Sequence, residues 1–516
     1  MNLNEAVGRL FMIGLPGRSL DSQTVRLLEA VRPGFIILFA RNVESPEQVR
    51  ELVEEVNRVL PYKPVFAVDQ EGGIVSRFRE GFTVSPGAMA LAATGEAVSA
   101  RKAAEILAKE MRAVGMHWNL APVVDINVNP HNPGIGVRSF GDDPETVTEF
   151  AAAFVGGMQQ HGILTCLKHF PGLGRVDVDP HLDLPVLDLP EEDLLKFDLV
   201  PFQRIRADSV MTSHVYLPKL QARREPASVS KEVLTGLARQ KLGYEGVLVA
   251  DDLLMSGITN YFPVEEATVQ AFRAGMDVLT ICHDPDLQKA AKNALLAAVE
   301  RSPMLQERLI ESLHRVELFR ERALAAPELP LDVVGNEEHM KEMERIAERS
   351  VTALLRDPQI LPLEFSSVTA VYSVRLSRMV QVEDAAQGGV PWMARVVAER
   401  ARRPVLDFAA EISTEEAVRL AAAAPEEGLV VLFTENAHLY AGQTRLVEEL
   451  ARRAGGLLLI ALRDPYDAFI AGVENSLISY GYEAVSQRSL LKVLEGAIAP
   501  AGRLPVRCLC RRGCQC

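Results

Sequence analysis

The chain has 516 residues, 48% of them hydrophobic and 24% charged, and its 69 acidic against 55 basic side chains leave a formal net charge of −14. That balance, without a long Lys/Arg run, excludes nucleic acid and anionic membrane surfaces as expected partners and suits a small neutral substrate. A mean hydropathy of +0.07 and the lack of any apolar stretch of about 20 residues exclude a membrane-spanning chain. The opening Met1-Asn2-Leu3-Asn4-Glu5-Ala6 lacks the basic and apolar regions of a secretory signal, and only Cys166 and Cys282 precede residue 508, so the expected compartment is the cytoplasm.

In chain order, short apolar runs cover residues 34–39, 64–68, 118–124, 164–168, 209–212, 246–250 and 277–281, separated by helical stretches. Near-continuous apolar runs in a βα rhythm predict parallel strands buried on both faces. Polar residues follow these runs: Arg41-Asn42, Asp69-Gln70-Glu71, Asp125, Lys168-His169, Ser213-His214, Asp251-Asp252 and His283-Asp284. Chemistry collected at one end of every strand predicts an N-terminal (β/α)8 TIM-type barrel, whose carboxyl-terminal face gathers residues remote in sequence; an open doubly wound sheet is the alternative. The expected barrel spans residues 1–326, and a Pro- and charge-rich connector occupies 327–349. Apolar runs at 350–355, 368–372, 428–433 and 456–461, with a helix over 443–453, predict a smaller α/β three-layer sandwich over 350–507. The tail 508–516 crowds Cys508, Cys510, Cys514 and Cys516 together and is expected to be unstructured and redox-sensitive, a metal or disulfide role being the alternative.

The most telling stretch is Lys168-His169-Phe170-Pro171-Gly172, followed closely by Asp179-Pro180-His181. A strand runs into a loop that sets a carboxylate two residues from an imidazole. Asp179 accepting from one ring nitrogen would raise the basicity of His181 and leave the other nitrogen to carry a proton. Gly72-Gly73 suits a tight turn. No His-Glu-x-x-His cluster, phosphate loop or dinucleotide fingerprint occurs, so neither a metal site nor a cofactor is expected.

Val68-Asp69-Gln70-Glu71-Gly72-Gly73, Ala121-Pro122-Val123-Val124-Asp125, Arg138-Ser139-Phe140-Gly141, the Lys168 and Asp179 motifs and Val249-Ala250-Asp251-Asp252-Leu253 together resemble the glycoside hydrolase family 3 β-N-acetylhexosaminidases of the two-domain type. The resemblance implies a (β/α)8 barrel and retaining hydrolysis of terminal β-linked N-acetylglucosamine through a covalent glycosyl-Asp intermediate. It implies Asp251 as nucleophile, His181 as acid/base and Asp179 as its partner. Asp69, Arg138, Lys168 and His169 are implied in sugar binding, with Arg77 and Asp125 as weaker candidates. Strand alternation is expected to let only one of Asp251 and Asp252 face the barrel mouth, and the family pattern picks Asp251, leaving Asp252 as a cap. His214 is expected to support the site wall. The chain departs from the family pattern at Leu173, Arg175 and Pro180 in the dyad loop and at Ile74, where altered outer-pocket contacts are expected. Peptidoglycan-derived fragments are the expected substrate, with chitooligosaccharides as the alternative. A phosphorylase or β-glucosidase of the same family and a catalytically inactive sugar-binding protein are the competing readings.

Overall fold

The computed structural model describes residues 2–377, 382–383 and 388–507; the four tail cysteines therefore lie outside the described residues. Eight strands form one all-parallel sheet: β1 (Phe11–Gly14), β2 (Phe35–Leu38), β3 (Val65–Val68), β4 (Trp118–Asn119), β5 (Leu164–Phe170), β6 (Ser209–Thr212), β7 (Val247–Ala250) and β8 (Leu279–Ile281). β8 pairs with β1, and a parallel bridge from Val249 to Val278 joins β7 to the residue before β8, so the sheet wraps into a barrel. Every residue of β2, β3, β6 and β7 is buried, because barrel interior and helix layer cover both faces. Each such apolar side chain contributes about 1.5–3 kcal/mol of burial, which is why these runs were visible as uninterrupted apolar segments.

Two expectations need correcting. The run 118–124 is a strand only at Trp118–Asn119; beyond it Pro122 lacks the N–H that a ladder needs, and the chain continues as a loop with one bridge from Val123 to Lys168. β1 went unrecognised, since it is four residues long and no charged group follows it before Pro16 and Gly17.

The second sheet has six strands, β9 (Thr352–Leu355), β10 (Val368–Val374), β11 (Val405–Phe408), β12 (Leu429–Thr434), β13 (Gly456–Ala461) and β14 (Asn475–Ile478), in the order β9-β14-β13-β12-β10-β11. Among the described strands of this sheet, only the β9–β14 pairing is antiparallel. Alternate residues of β12 and β13 feed two separate cores. Val430, Leu432, Leu459 and Ala461 pack with Leu446, Val447 and Leu450 of the helix Ala441–Arg453. Val431, Phe433, Leu458 and Ile460 pack with Met393 and Val397 of the helix Trp392–Ala401 and with Leu490 and Val493 of Ala484–Leu494. Helices on both faces of a twisted sheet make the three-layer arrangement. β11 and β14 had not been anticipated; their partly polar sequences, Val405-Leu406-Asp407-Phe408 and Asn475-Ser476-Leu477-Ile478, hide them from an apolar-run criterion.

The segment between the sheets is more ordered than a connector suggests. Glu337–Ser350 is a helix whose Met343 and Ile346 join the barrel core. The second core also takes in Ile74, Val75, Met89 and Val137 from the barrel side, so apolar packing runs across the junction. Ile74 is thereby a buried packing residue of that shared core. Polar contacts reinforce the junction: Asn127 Nδ2 donates to Tyr466 Oη (3.1 Å), Val137 N donates to Asp464 Oδ1 (2.9 Å), and His438 Nε2 lies 2.9 Å from Pro130 O.

Candidate active site

The carboxyl ends of the barrel strands surround a cavity of about 470 Å3. Asp69 follows β3, Lys168 and His169 end β5, and Asp251 follows β7, so the parallel sheet delivers all of them to one rim. Arg77, Arg138 and His181 also line this cavity. Asp179 lines a narrow extension behind it, shared with His181, Asp251, Arg138 and His169. Eight of the nine candidate residues therefore line one connected site, and the ninth, Asp125, does not reach either lining.

A buried charge network forms the floor. Lys168 Nζ lies 2.8 Å from Asp69 Oδ1 and 2.7 Å from Glu71 Oε1. Arg138 binds Glu71 with both arms of its guanidinium, Nε to Oε2 and Nη2 to Oε1 at 2.9 Å each. Burial raises the Glu71 pKa, but Arg138 and Lys168 outweigh it and hold the carboxyl far below the usual range. The role of Glu71 is not evident from sequence beyond its place in the polar run Asp69-Gln70-Glu71. Gly72 and Gly73, at φ +94° and +59°, turn the hairpin of Gln70–Gly72 and Val75–Ser76, and a Cβ on Gly72 would meet the Ser85 side chain at 2.8–2.9 Å.

Asp125 is fully buried and holds the site from behind. Its Oδ2 accepts from His169 Nδ1 (2.7 Å) and its Oδ1 from Leu173 N (2.6 Å). Arg138 Nη2 approaches His169 Nε2 at 3.4 Å, which suits the tautomer with the proton on Nδ1. Arg77 reaches Asp69 Oδ2 at 3.5 Å and donates to Val382 O at 2.7 Å, tying the barrel rim to the second half of the chain.

His181 is clamped by Asp179, whose Oδ1 accepts from both its backbone N (2.9 Å) and its Nδ1 (2.7 Å). Burial lowers the His181 pKa, but the bond and charge of Asp179, followed by the charge of Asp251, raise it above the ordinary imidazole value. The Asp179 pKa moves the opposite way: burial raises it, His181 lowers it further, and the net shift is down. The loop is pinned on several sides. Pro180 O accepts from Gly257 N (2.9 Å), Arg175 Nε donates to Asp198 (2.8 Å), and Leu173 is buried. The three departures from the family pattern in this loop are thus structural anchors.

Asp251 and Asp252 both line the cavity, contrary to the expectation that alternation would admit only one. β7 ends at Ala250, so both residues lie past the strand, where period-two alternation no longer operates. Their environments differ. For Asp251, burial raises the pKa, but the imidazoles of His169, His214 and His181 pull it down and prevail. For Asp252, burial dominates over bonds from Cys282 N (3.1 Å) and Leu254 N (3.2 Å) to its Oδ1, and the pKa rises to about 6. His214 does not line the cavity; it is buried behind Asp251, bonded to Ser228 Oγ (2.7 Å) and near Asp252 O (3.0 Å).

The cavity also takes in Arg41 and His283, which the strand-end pattern puts at this rim without a role, and Cys282, Val382 and Glu383, which no sequence pattern marks. Glu383 comes from the second half of the chain and forms an ion pair with Arg463; no local sequence signal marks it. Among the described residues, no group of three or more His, Cys, Asp or Glu side chains is arranged to hold a metal ion.

Residues 2–318 match the model of the glycosyl hydrolase family 3 N terminal domain. The chain belongs to glycosyl hydrolase family 3. This family 3 glycosidase superposes on a glycoside hydrolase family 3 β-N-acetylglucosaminidase from Paenibacillus sp. str. FPU-7 with a TM-score of 0.87 at 32% identity, covering 98% of this chain and 99% of that one. It is 33% identical over 378 residues to Beta-hexosaminidase A of Pseudoalteromonas piscicida, covering 67% of this chain and 63% of that protein's length. A Beta-hexosaminidase of Haemophilus influenzae is 37% identical over 281 residues, 53% of this chain and 79% of its own. The Beta-glucoside phosphorylase BglX, at 24% identity and a TM-score of 0.80, shares the fold of this family 3 glycosidase.

Proposed function

We propose that the chain is a retaining β-N-acetylglucosaminidase that removes terminal β-linked N-acetylglucosamine from small glycans, chiefly peptidoglycan-derived fragments, in the cytoplasm. One observation carries the chemistry: the Asp251 carboxyl and an imidazole braced by Asp179 share a single cavity. The names of the relatives support the sugar, and the two buried free thiols Cys166 and Cys282 suit a reducing compartment.

In the first step the Asp251 carboxylate attacks the anomeric carbon while the bond to the leaving oxygen breaks, and His181 Nε2–H gives that oxygen its proton. The second step reverses these roles. Neutral His181 takes a proton from water, the oxygen attacks the anomeric carbon, and the ester bond to Asp251 breaks to restore the carboxylate. Asp179 keeps Nδ1 protonated throughout, orienting the ring and stabilising the imidazolium. Asp69, Lys168, Arg138, His169 and Arg77 bond the sugar hydroxyls and hold the ring where positive charge develops at the anomeric carbon.

The test is cleavage of 4-nitrophenyl N-acetyl-β-glucosaminide by the wild type and by Asp251→Ala, with product analysis in the presence and absence of phosphate. Turnover should fall by roughly 10⁴-fold or more in the variant, the scale seen when a covalent nucleophile is removed, and free N-acetylglucosamine should be the product in either buffer. Full activity in Asp251→Ala would overturn the assignment, and a sugar 1-phosphate as the main product would replace hydrolysis with phosphorolysis.

A further inference from the structure

A second cavity, of about 580 Å3, opens where the N-termini of the helices Trp392–Ala401 and Ala484–Leu494 come together. It is lined by Trp392, Arg395, Tyr482, Glu483 and Arg488, and by Arg79 reaching across from the barrel, where its guanidinium donates to Gly73 O at 3.0 Å. Its floor is braced: Met393 N donates to Gln487 Oε1 (2.9 Å), and Gln487 Nε2 donates to Tyr482 O (2.6 Å). Neither helix has a side-chain cap at its N-terminus.

Glu483 is the informative group. The residue is 4% exposed, both carboxyl oxygens are buried, and among the described residues neither has a hydrogen-bond donor. The nearest cation, Arg79 Nη2, stands 3.9 Å away, an ion-pair distance and too long for a bond. Buried acceptors without donors are costly, so a ligand that brings hydroxyl donors is favoured here. Arg395 and Arg488 stand exposed at the rim, and no ion pair joins either to another described residue. With two uncapped helix N-termini beside them they favour an anionic group. Trp392, 41% exposed, offers an indole face to an apolar ring surface. A bare inorganic anion would leave Glu483 without donors, and a neutral sugar would leave the arginines unused.

We propose that this cavity is a second saccharide-binding site that takes a sugar carrying a carboxylate. The ring stacks on Trp392, its hydroxyls donate to Glu483, and its carboxylate lies between Arg395 and Arg488. The site is separate from the barrel mouth and does not depend on the roles assigned to Asp251 or His181.

Tryptophan fluorescence of the full chain gives a direct readout, because the chain has two tryptophans and the other, Trp118, is fully buried in the barrel. Titration with N-acetylmuramic acid and with glucuronic acid should each give a saturable change, with N-acetylglucosamine binding about tenfold or more weakly for want of charge-assisted bonds. Arg488→Ala should weaken acidic-sugar binding about tenfold and leave aryl-glycoside cleavage unchanged. Trp392→Phe should abolish the optical signal, while calorimetry still detects heat of binding. The proposal is overturned by the absence of any saturable signal in both fluorescence and calorimetry, by equal affinity for N-acetylglucosamine, by the same response to inorganic phosphate alone, or by an Arg488→Ala variant that binds like the wild type. Loss of aryl-glycoside cleavage in the wild type would overturn only the catalytic reading.

Discussion

Replacing Asp179 by Asn isolates the electrostatic part of the proposed acid/base pair. The side chain keeps its length and can still accept from His181 N, as Asp179 Oδ1 does at 2.9 Å, but it no longer offers a charge to Nδ1 at 2.7 Å. A hydrogen bond to a charged group is worth about 1.5–3 kcal/mol, which at about 1.4 kcal/mol per tenfold is a loss of roughly 10- to 150-fold in kcat/KM at neutral pH. The direction of the pH dependence follows from the raised pKa of His181. In the wild type the His181 imidazolium is then expected to persist to higher pH than a free imidazole, and the rate to fall only as it loses its proton. Without the Asp179 charge, burial prevails and that fall moves to lower pH. The assay is the pH profile of kcat/KM for two aryl N-acetyl-β-glucosaminides, one with a 4-nitrophenol and one with a more acidic dinitrophenol leaving group. The better leaving group needs no proton, so its loss should be small. Equal losses on both substrates, with the alkaline limb unmoved, would refute the role of the pair.

Glu71→Gln leaves Arg138 and Lys168 buried with half of their counter-charge removed, and should cost about 3–5 kcal/mol in a denaturant unfolding series. Because the Glu71 pKa is depressed, its contribution is present above the ordinary carboxylate range and lost as pH falls toward the depressed value, so the variant should also be less sensitive to acid. A loss under about 1 kcal/mol would contradict the network. Asp252→Asn should act in the opposite sense. The Asp252 pKa is raised to about 6, so folding loses stability as pH climbs from the unfolded carboxylate value through 6. Asn retains an acceptor for Cys282 N and Leu254 N and removes that penalty, adding about 1–2 kcal/mol at pH 8 and almost nothing at pH 4. A difference that does not change with pH would count against the burial argument.

Much of the site was readable before any coordinates because a parallel barrel converts sequence position into spatial position. A polar residue just past an apolar run lies at the carboxyl rim, so Asp69, Lys168, His169 and Asp251 could be placed from local pattern alone. Asp179 and His181 were readable for a different reason: residues two apart in a turn can bond without help from the rest of the fold, as Asp179 Oδ1 and His181 Nδ1 do. The unbroken apolar runs of β12 and β13 likewise announce a sheet covered on both faces.

Tertiary structure decided the rest, since it depended on contacts between segments far apart in the chain. Glu71 became the counter-ion of Arg138 across 67 positions, Glu383 reached the cavity from beyond the barrel, and Ile74 turned into a core shared with the second sheet. The contrast between Asp251 and Asp252 has the same origin. Identical side chains at neighbouring positions differ in acidity because one faces imidazoles and the other is buried against backbone donors, and burial and field belong to the surroundings of a residue, not to its name.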